Sequence, residues 1–219
     1  MFNFDWYKNH LQDAVGIISD YVKVRSQIAC NTNYSQEFRD KKLSDLSDRT
    51  SNSLNTAFVD ICDQVSYEVT RAVKKAAPPS VDPAERSYQA LAASQDTAAR
   101  NDDPVMLLRL YEQAAENGEK TRQTELERLL DPVFADSQHF AAWEDMKAKY
   151  RTPEESEALT MKTLAPRLLE MLQAQKSYIM TTFYDAQTGT SEEQVQGALD
   201  VIPTSFSTVV RNLGGSLLN

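Results

Sequence analysis

The chain has 219 residues, 41% apolar and 25% charged, which is enough for a sizeable core in one large or two small domains. Its net charge of −9 argues against a phosphate-backbone partner, and six glycines are too few for glycine-lined phosphate loops or a turn-rich all-β fold. No apolar run approaches the ~20 residues needed to cross a bilayer, and the opening "MFNFDWYKNHLQDAV" lacks the basic start and unbroken apolar core of a secretory leader.

From the N-terminus, Tyr7, Leu11, Ala14, Ile18, Tyr21, Val22, Ile28 and Ala29 recur at steps of three and four. That stripe predicts an amphipathic helix, capped by Asn3 or Asp5 and ending near Cys30. "NTNYS" reads as a turn in which Asn33 or Ser35 caps the next helix. This second helix is expected over 36–77, with a near-heptad seam of Leu54, Phe58, Ile61, Val65, Val69, Ala72 and Ala76. Pro78-Pro79 ends it. At 1.5 Å per residue the second helix is about 60 Å long and the first about 39 Å, so an antiparallel pair leaves an overhang. "SDRTSNSLN", Ser47 to Asn55, is its weak stretch, because Ser, Thr and Asn compete for backbone hydrogen bonds. A break there and a continuous helix both fit.

The seam has two readings, a core stripe within one chain or an interface between copies, and the overhang favours the interface. Aromatic residues near a terminus have little domain to bury them, so "FNFDWY" joins it as an anchor. The expected interface residues are therefore Phe2, Phe4, Trp6, Tyr7, Leu54, Phe58, Ile61 and Val65. Cys30 and Cys62 fall on apolar faces and read as small, reduced core residues in a cytoplasmic setting.

"PPSVDP", Pro78 to Pro83, reads as a linker. Beyond it, Asp82-Pro83, Asp103-Pro104, Asp131-Pro132 and Thr152-Pro153 each place a capping side chain before a proline suited to the first helical position. Glu85 and Glu155 would complete capping boxes. Shifting the chain by 49 residues aligns nine identities, among them Asp82/Asp131, Pro83/Pro132, Ala93/Ala142 and Pro104/Pro153. Two diverged helical-hairpin units, each burying a face against the other, account for that pattern. Helices are expected over 83–101, 104–117, 119–130, 132–150 and 153–184, with Pro166 kinking the last. Thr190 and Glu193 form a further capping box for a helix to about Val201, which Ile202-Pro203 closes. A short helix from Ser205 then stops at Gly214-Gly215, and the tail "SLLN" frays or docks on a neighbour.

The expected architecture is all-α: a long helical hairpin over 1–77, a linker over 78–83, a helical bundle with a candidate two-fold repeat over 84–186, and short helices with a tail over 187–219. Residues 1–77 hold ten basic and ten acidic side chains, leaving 13 basic and 22 acidic in the remainder. Lys41-Lys42 and Lys74-Lys75 read as solvated helix faces.

Signals for chemistry are sparse. His10 and His139 stand far apart, and His139 sits beside Phe140 and Trp143, where a core or boundary imidazole is the default. No zinc, calcium-loop, dinucleotide, phosphate-loop or nucleophile-elbow spacing occurs. The pairs Asp102-Asp103, Glu154-Glu155 and Glu192-Glu193 lie at expected helix starts, where negative charge meets the positive end of the helix dipole. No catalytic, cofactor or metal residue is therefore nominated, and no small-molecule substrate, nucleic-acid or membrane partner is expected.

In composition and layout the whole chain resembles virion structural proteins of tailed bacteriophages: small, acidic, helix-rich, poor in Cys and His, with a long N-terminal hairpin. The resemblance rests on no motif and carries over no functional residue. It implies an oligomeric part of a head, neck or tail, or a scaffold-like assembly factor, in the virion or the host cytoplasm. The expected function is non-enzymatic, through helix–helix contacts with copies of itself or other virion proteins. The alternative is a monomeric cytoplasmic adaptor whose acidic half grips one protein partner. An enzyme with an unrecognised site is a third reading.

Overall fold

The structure is a computed structural model that describes residues 2–77, 82–100 and 103–215, without side chains at 203–207 and 209–215. The fold is all-α, with no strand among the described residues. Among the described residues eight helices follow in order: α1 (Phe4–Ala29), α2 (Gln36–Ala76), α3 (Pro83–Ala99), α4 (Pro104–Glu116), α5 (Lys120–Phe134), α6 (Phe140–Tyr150), α7 (Pro153–Thr188) and α8 (Glu192–Gly215).

Two compact units divide the chain. The first joins Met1–Arg71 to Thr160–Asn219, and the second is Ala72–Leu159, which takes in the last residues of α2 and the first of α7. The boundaries expected at 77, 83 and 186 fall elsewhere, because α7 and α8 pack with α1 and α2, a long-range association that local signals do not encode.

In the first unit, α1 and α2 run antiparallel, tied by Tyr7 to Glu68 at one end and by Arg39 donating to the Ala29 carbonyl at the other. The Tyr21 and Phe183 rings meet edge-on at 5.0 Å, and Arg25 donates to the Gln187 carbonyl, so α7 runs parallel to α1. α8 returns along α1, with Ser19 donating to Gln196 at 3.2 Å. This gives an up-down-up-down bundle whose second and third helices are separated by the whole second unit. Leu11, Ile18, Leu54, Ile61, Leu172, Ile179, Phe183 and Leu199 are completely buried. Gly189 turns α7 into α8 at φ +102°, backbone that a side chain rarely adopts.

In the second unit, α3 and α4 both pack on α5, and α4 also meets α6. Its core holds Ala93, Leu107, Leu110, Tyr111, Ala114, Leu126, Leu130, Phe134 and Trp143. The Tyr111 and Trp143 rings stack edge to face at 4.8 Å. α3 is the least covered helix: only Ala93 of its residues is buried.

The helix ends show which local signals act. Asn3 accepts from the Trp6 amide, Ser35 from Phe38, Asp82 from Ala84, and Asp103 from Val105 and Met106. Thr152 and Glu155 form a complete reciprocal box. Glu85 does not close one; its carboxylate accepts from Gln89. The box before α8 is Ser191 with Gln194, one residue later than Thr190 and Glu193. Asp131-Pro132 starts no helix at all: α5 runs through Pro132, and the Asp131 carboxylate instead accepts from Trp143 and Lys147. Asp82 and Asp131, the first pair of the 49-residue alignment, thus hold different structural places.

α2 is continuous through Ser47–Asn55; Thr50 within that stretch and Thr56 just beyond it bond back to carbonyls four residues earlier. α7 continues through Pro166, and α8 through the Ile202-Pro203 pair expected to close it. Both cysteines are free thiols, but Cys30 is exposed at the end of α1 and Cys62 only partly buried, so neither is a core residue. Most of the expected linker (78–81) and the tail "SLLN" lie outside the described residues.

Candidate interaction surfaces

The expected interface residues fall in two places. Leu54, Phe58, Ile61 and Val65 are at most 1% exposed, within the first unit's own core. α1 spans α2 from Arg39 to Glu68, and α7 covers it from another side, with Lys176 lying over the Phe58 ring at 5.9 Å. The seam is a core stripe within one chain, and these four side chains offer no surface to a second copy in this fold.

The N-terminal aromatic residues form a knot on the start of α1. Phe2 packs on Phe4 and Tyr7, Trp6 on Tyr7, and His10 stacks on Trp6 at 3.6 Å. Phe2 and Tyr7 are buried, whereas Phe4 and Trp6 keep part of their surface exposed. Tyr7 donates to Glu68 at 3.1 Å, and Gln64 donates to the second Glu68 oxygen at 3.1 Å. Burial, and then the facing Glu68, push the Tyr7 phenol far above its usual range, so it is a fixed donor here.

The second unit holds three polar groupings that sequence reading missed. Tyr111, completely buried, donates to Glu127 at 2.6 Å and accepts from Gln123 at 2.8 Å. Lys147 is 6% exposed and bonds Asp131 at 2.7 Å and Glu144 at 2.6 Å, beside the Trp143 ring. Burial opposes both charges, yet their mutual bonds prevail: Asp131 is held below the usual carboxylate range and Lys147 above the usual amine range. The Lys147–Glu144 spacing of three was readable as a helix pair; the Asp131 partnership was not, since Asp-Pro reads as a cap.

The third grouping lines a groove of about 460 Å³ beside α3, formed by Glu85, Tyr88, Gln89, Ala92, Gln95, Asp96, Glu119 and Arg122. Arg122 bridges Asp96 at 2.6 Å and Glu119 at 2.8 Å, and Arg100 shares Asp96 at 3.1 Å. Gln89 donates to Glu85, but its own carbonyl oxygen is buried without a hydrogen-bond partner.

Large apolar side chains also stand outward: Tyr178 is 43% exposed, Tyr184 54%, Val59 54%, Leu91 57%, Tyr67 58% and Tyr88 73%. Among the described residues no cluster of His, Cys, Asp or Glu could hold a metal ion, and no helix is long and apolar enough to cross a membrane. No protein-family model, curated protein or solved structure matches this chain.

Proposed function

We infer that the chain is a non-catalytic structural or assembly protein that works through contacts between helices. The observation that carries this reading is the set of outward tyrosines, Tyr67, Tyr88, Tyr178 and Tyr184, on helices whose inner faces are already packed. A phenol ring offers large apolar area with a polar tip and loses little side-chain freedom on docking, which suits it as an interface anchor. The buried ionisable groups Glu68 and Lys147 are engaged with neighbouring side chains and act as ties within the fold.

The resemblance to bacteriophage virion proteins supplies the setting: a part of a head, neck or tail, or a factor in its assembly, contacting further copies or other virion proteins. Apolar burial at roughly 25 cal/mol per Å², before ordering costs, drives such contacts. The adaptor reading is favoured by a separate observation, the burial of Leu54, Phe58, Ile61 and Val65 within one chain. Mass measurement in solution separates the two. Self-assembly predicts a mass that rises with concentration, while a monomer persisting at tens of micromolar would leave the adaptor.

A further inference from the structure

We propose that Asn117-Gly118, in the turn between α4 and α5, is a self-modification site at which asparagine converts to aspartate and isoaspartate when the end of α4 opens. This chemistry goes beyond the interaction reading above and does not depend on it. The sequence contains one asparagine followed by glycine, and this is it. Asparagine is a thermally labile side chain. With no Cβ on the next residue, the neighbouring amide nitrogen is the least hindered nucleophile a chain can offer to the side-chain carbonyl carbon. Both residues are exposed, so water and hydroxide reach them. Hydroxide takes the Gly118 amide proton, the nitrogen bonds to Asn117 Cγ, and the side-chain nitrogen leaves as ammonia with a proton from water. Water then opens the five-membered imide. Breaking the imide bond to Cγ gives aspartate, and breaking the bond to the backbone carbonyl carbon gives isoaspartate.

The fold holds this reaction back in two ways. The nucleophile is engaged: the Gly118 amide donates to the Ala115 carbonyl at 3.1 Å and the Glu119 amide to the Ala114 carbonyl at 2.9 Å, the paired bonds of a Schellman helix end. The torsion is also wrong. Ring closure needs Asn117 Cβ and the Gly118 nitrogen eclipsed about the Cα–C bond, and at ψ −5° they stand far from it. Both restraints go when the last turn of α4 frays, an opening that costs less than global unfolding. Gly118 sits at φ +70° with nothing within 4 Å of an added Cβ, so the turn calls for glycine by its backbone and not by crowding. The residue that best ends the helix is thus the one that leaves Asn117 most open to attack. Conversion changes the turn. It places a carboxylate at the negative end of the α4 dipole, close in sequence to Glu116 and Glu119. Isoaspartate also adds a methylene to the backbone, which breaks the register of the paired bonds between α4 and α5.

The test incubates the full chain at mildly alkaline pH, folded and in concentrated urea, and follows each asparagine by peptide mapping that separates aspartate from isoaspartate. Asn117 is expected to convert in both samples, at least about ten-fold more slowly in the folded one. Sub-denaturing urea should raise its rate in step with hydrogen exchange at the Gly118 and Glu119 amides. Asn52, whose neighbour Ser53 is the next smallest after Gly118 to follow an asparagine, lies inside α2 and should stay intact in the folded chain. Asn117→Gln, at an exposed position, cannot close the five-membered ring and should lose the conversion at unchanged melting temperature. The converted parent should melt at a lower temperature than the unconverted one. Equal rates in the folded and unfolded samples would overturn the gate, an unmodified Asn117 in urea would overturn the site, and a converted chain that melts as before would overturn the consequence for the fold.

Discussion

Tyr7 shows how one side chain can be both greasy and exacting. Its ring closes the aromatic knot with Phe2 and Trp6, and its hydroxyl supplies one of the two donors on the buried Glu68 carboxyl. Tyr7→Phe keeps the packing and removes that donor, so it should cost about 1–2 kcal/mol in denaturant unfolding. The Lys147–Asp131 tie makes a pH prediction. Asp131 has a lowered pKa, so its contribution is present above the unfolded carboxylate value, about 4, and is lost as pH falls through the folded one. Lys147 has a raised pKa, so its contribution is full below the unfolded amine value, about 10.4, and is lost as pH rises through the folded one. Melting temperature should form a plateau between those limits, and Asp131→Asn should flatten the acid side. The thiols differ in the same physical way: burial raises Cys62, while Cys30 lies open. At mildly alkaline pH a thiol reagent should label Cys30 quickly and Cys62 slowly; equal rates would contradict the assigned burial.

At the scale of elements, the amphipathic stripes of α1 and α2 were readable because three-and-four spacing directly expresses which face is covered. Phe58→Asp or Val65→Asp places an unpaired charge in that covered face and should cost more than 3 kcal/mol, with loss of cooperative unfolding. Tyr67→Ser, on the outward side of the same helix, should stay within about 0.5 kcal/mol of the parent. Thr152→Ala breaks the reciprocal box at α7 and should cost about 1 kcal/mol. Helix starts were less legible, for a specific reason. An aspartate before proline reads alike whether its carboxylate caps the chain beside it, as Asp82 does, or serves Lys147 and Trp143 a helix away, as Asp131 does. Ser191 displaced Thr190 as the cap because Gln194 answers it as well as a glutamate would.

For the whole molecule, the division into units was the hidden feature. Nothing in the stretch 160–202 announces that Met161, Leu168, Phe183 and Leu199 share the core unit of α1 and α2; only long-range packing decides it. The surplus length of α2 suggested an unpartnered seam, yet Leu54, Phe58, Ile61 and Val65 lie inside one chain, which moves the proposed contact surface to the outward faces. Those faces were silent in sequence, since an exposed tyrosine and a core tyrosine carry the same letter. The α3 groove was equally hidden, because its lining joins residues from Glu85 to Arg122 that only α3–α5 packing brings together. The central claim, that outward tyrosines and not the seam make the contacts, is tested most directly by sedimentation velocity on the parent chain and a Tyr67→Ser/Tyr178→Ser/Tyr184→Ser variant. The account predicts a parent whose mass grows with concentration and a variant that stays monomeric with unchanged helicity and melting. A variant that associates as the parent does, or a parent that never associates, would contradict it.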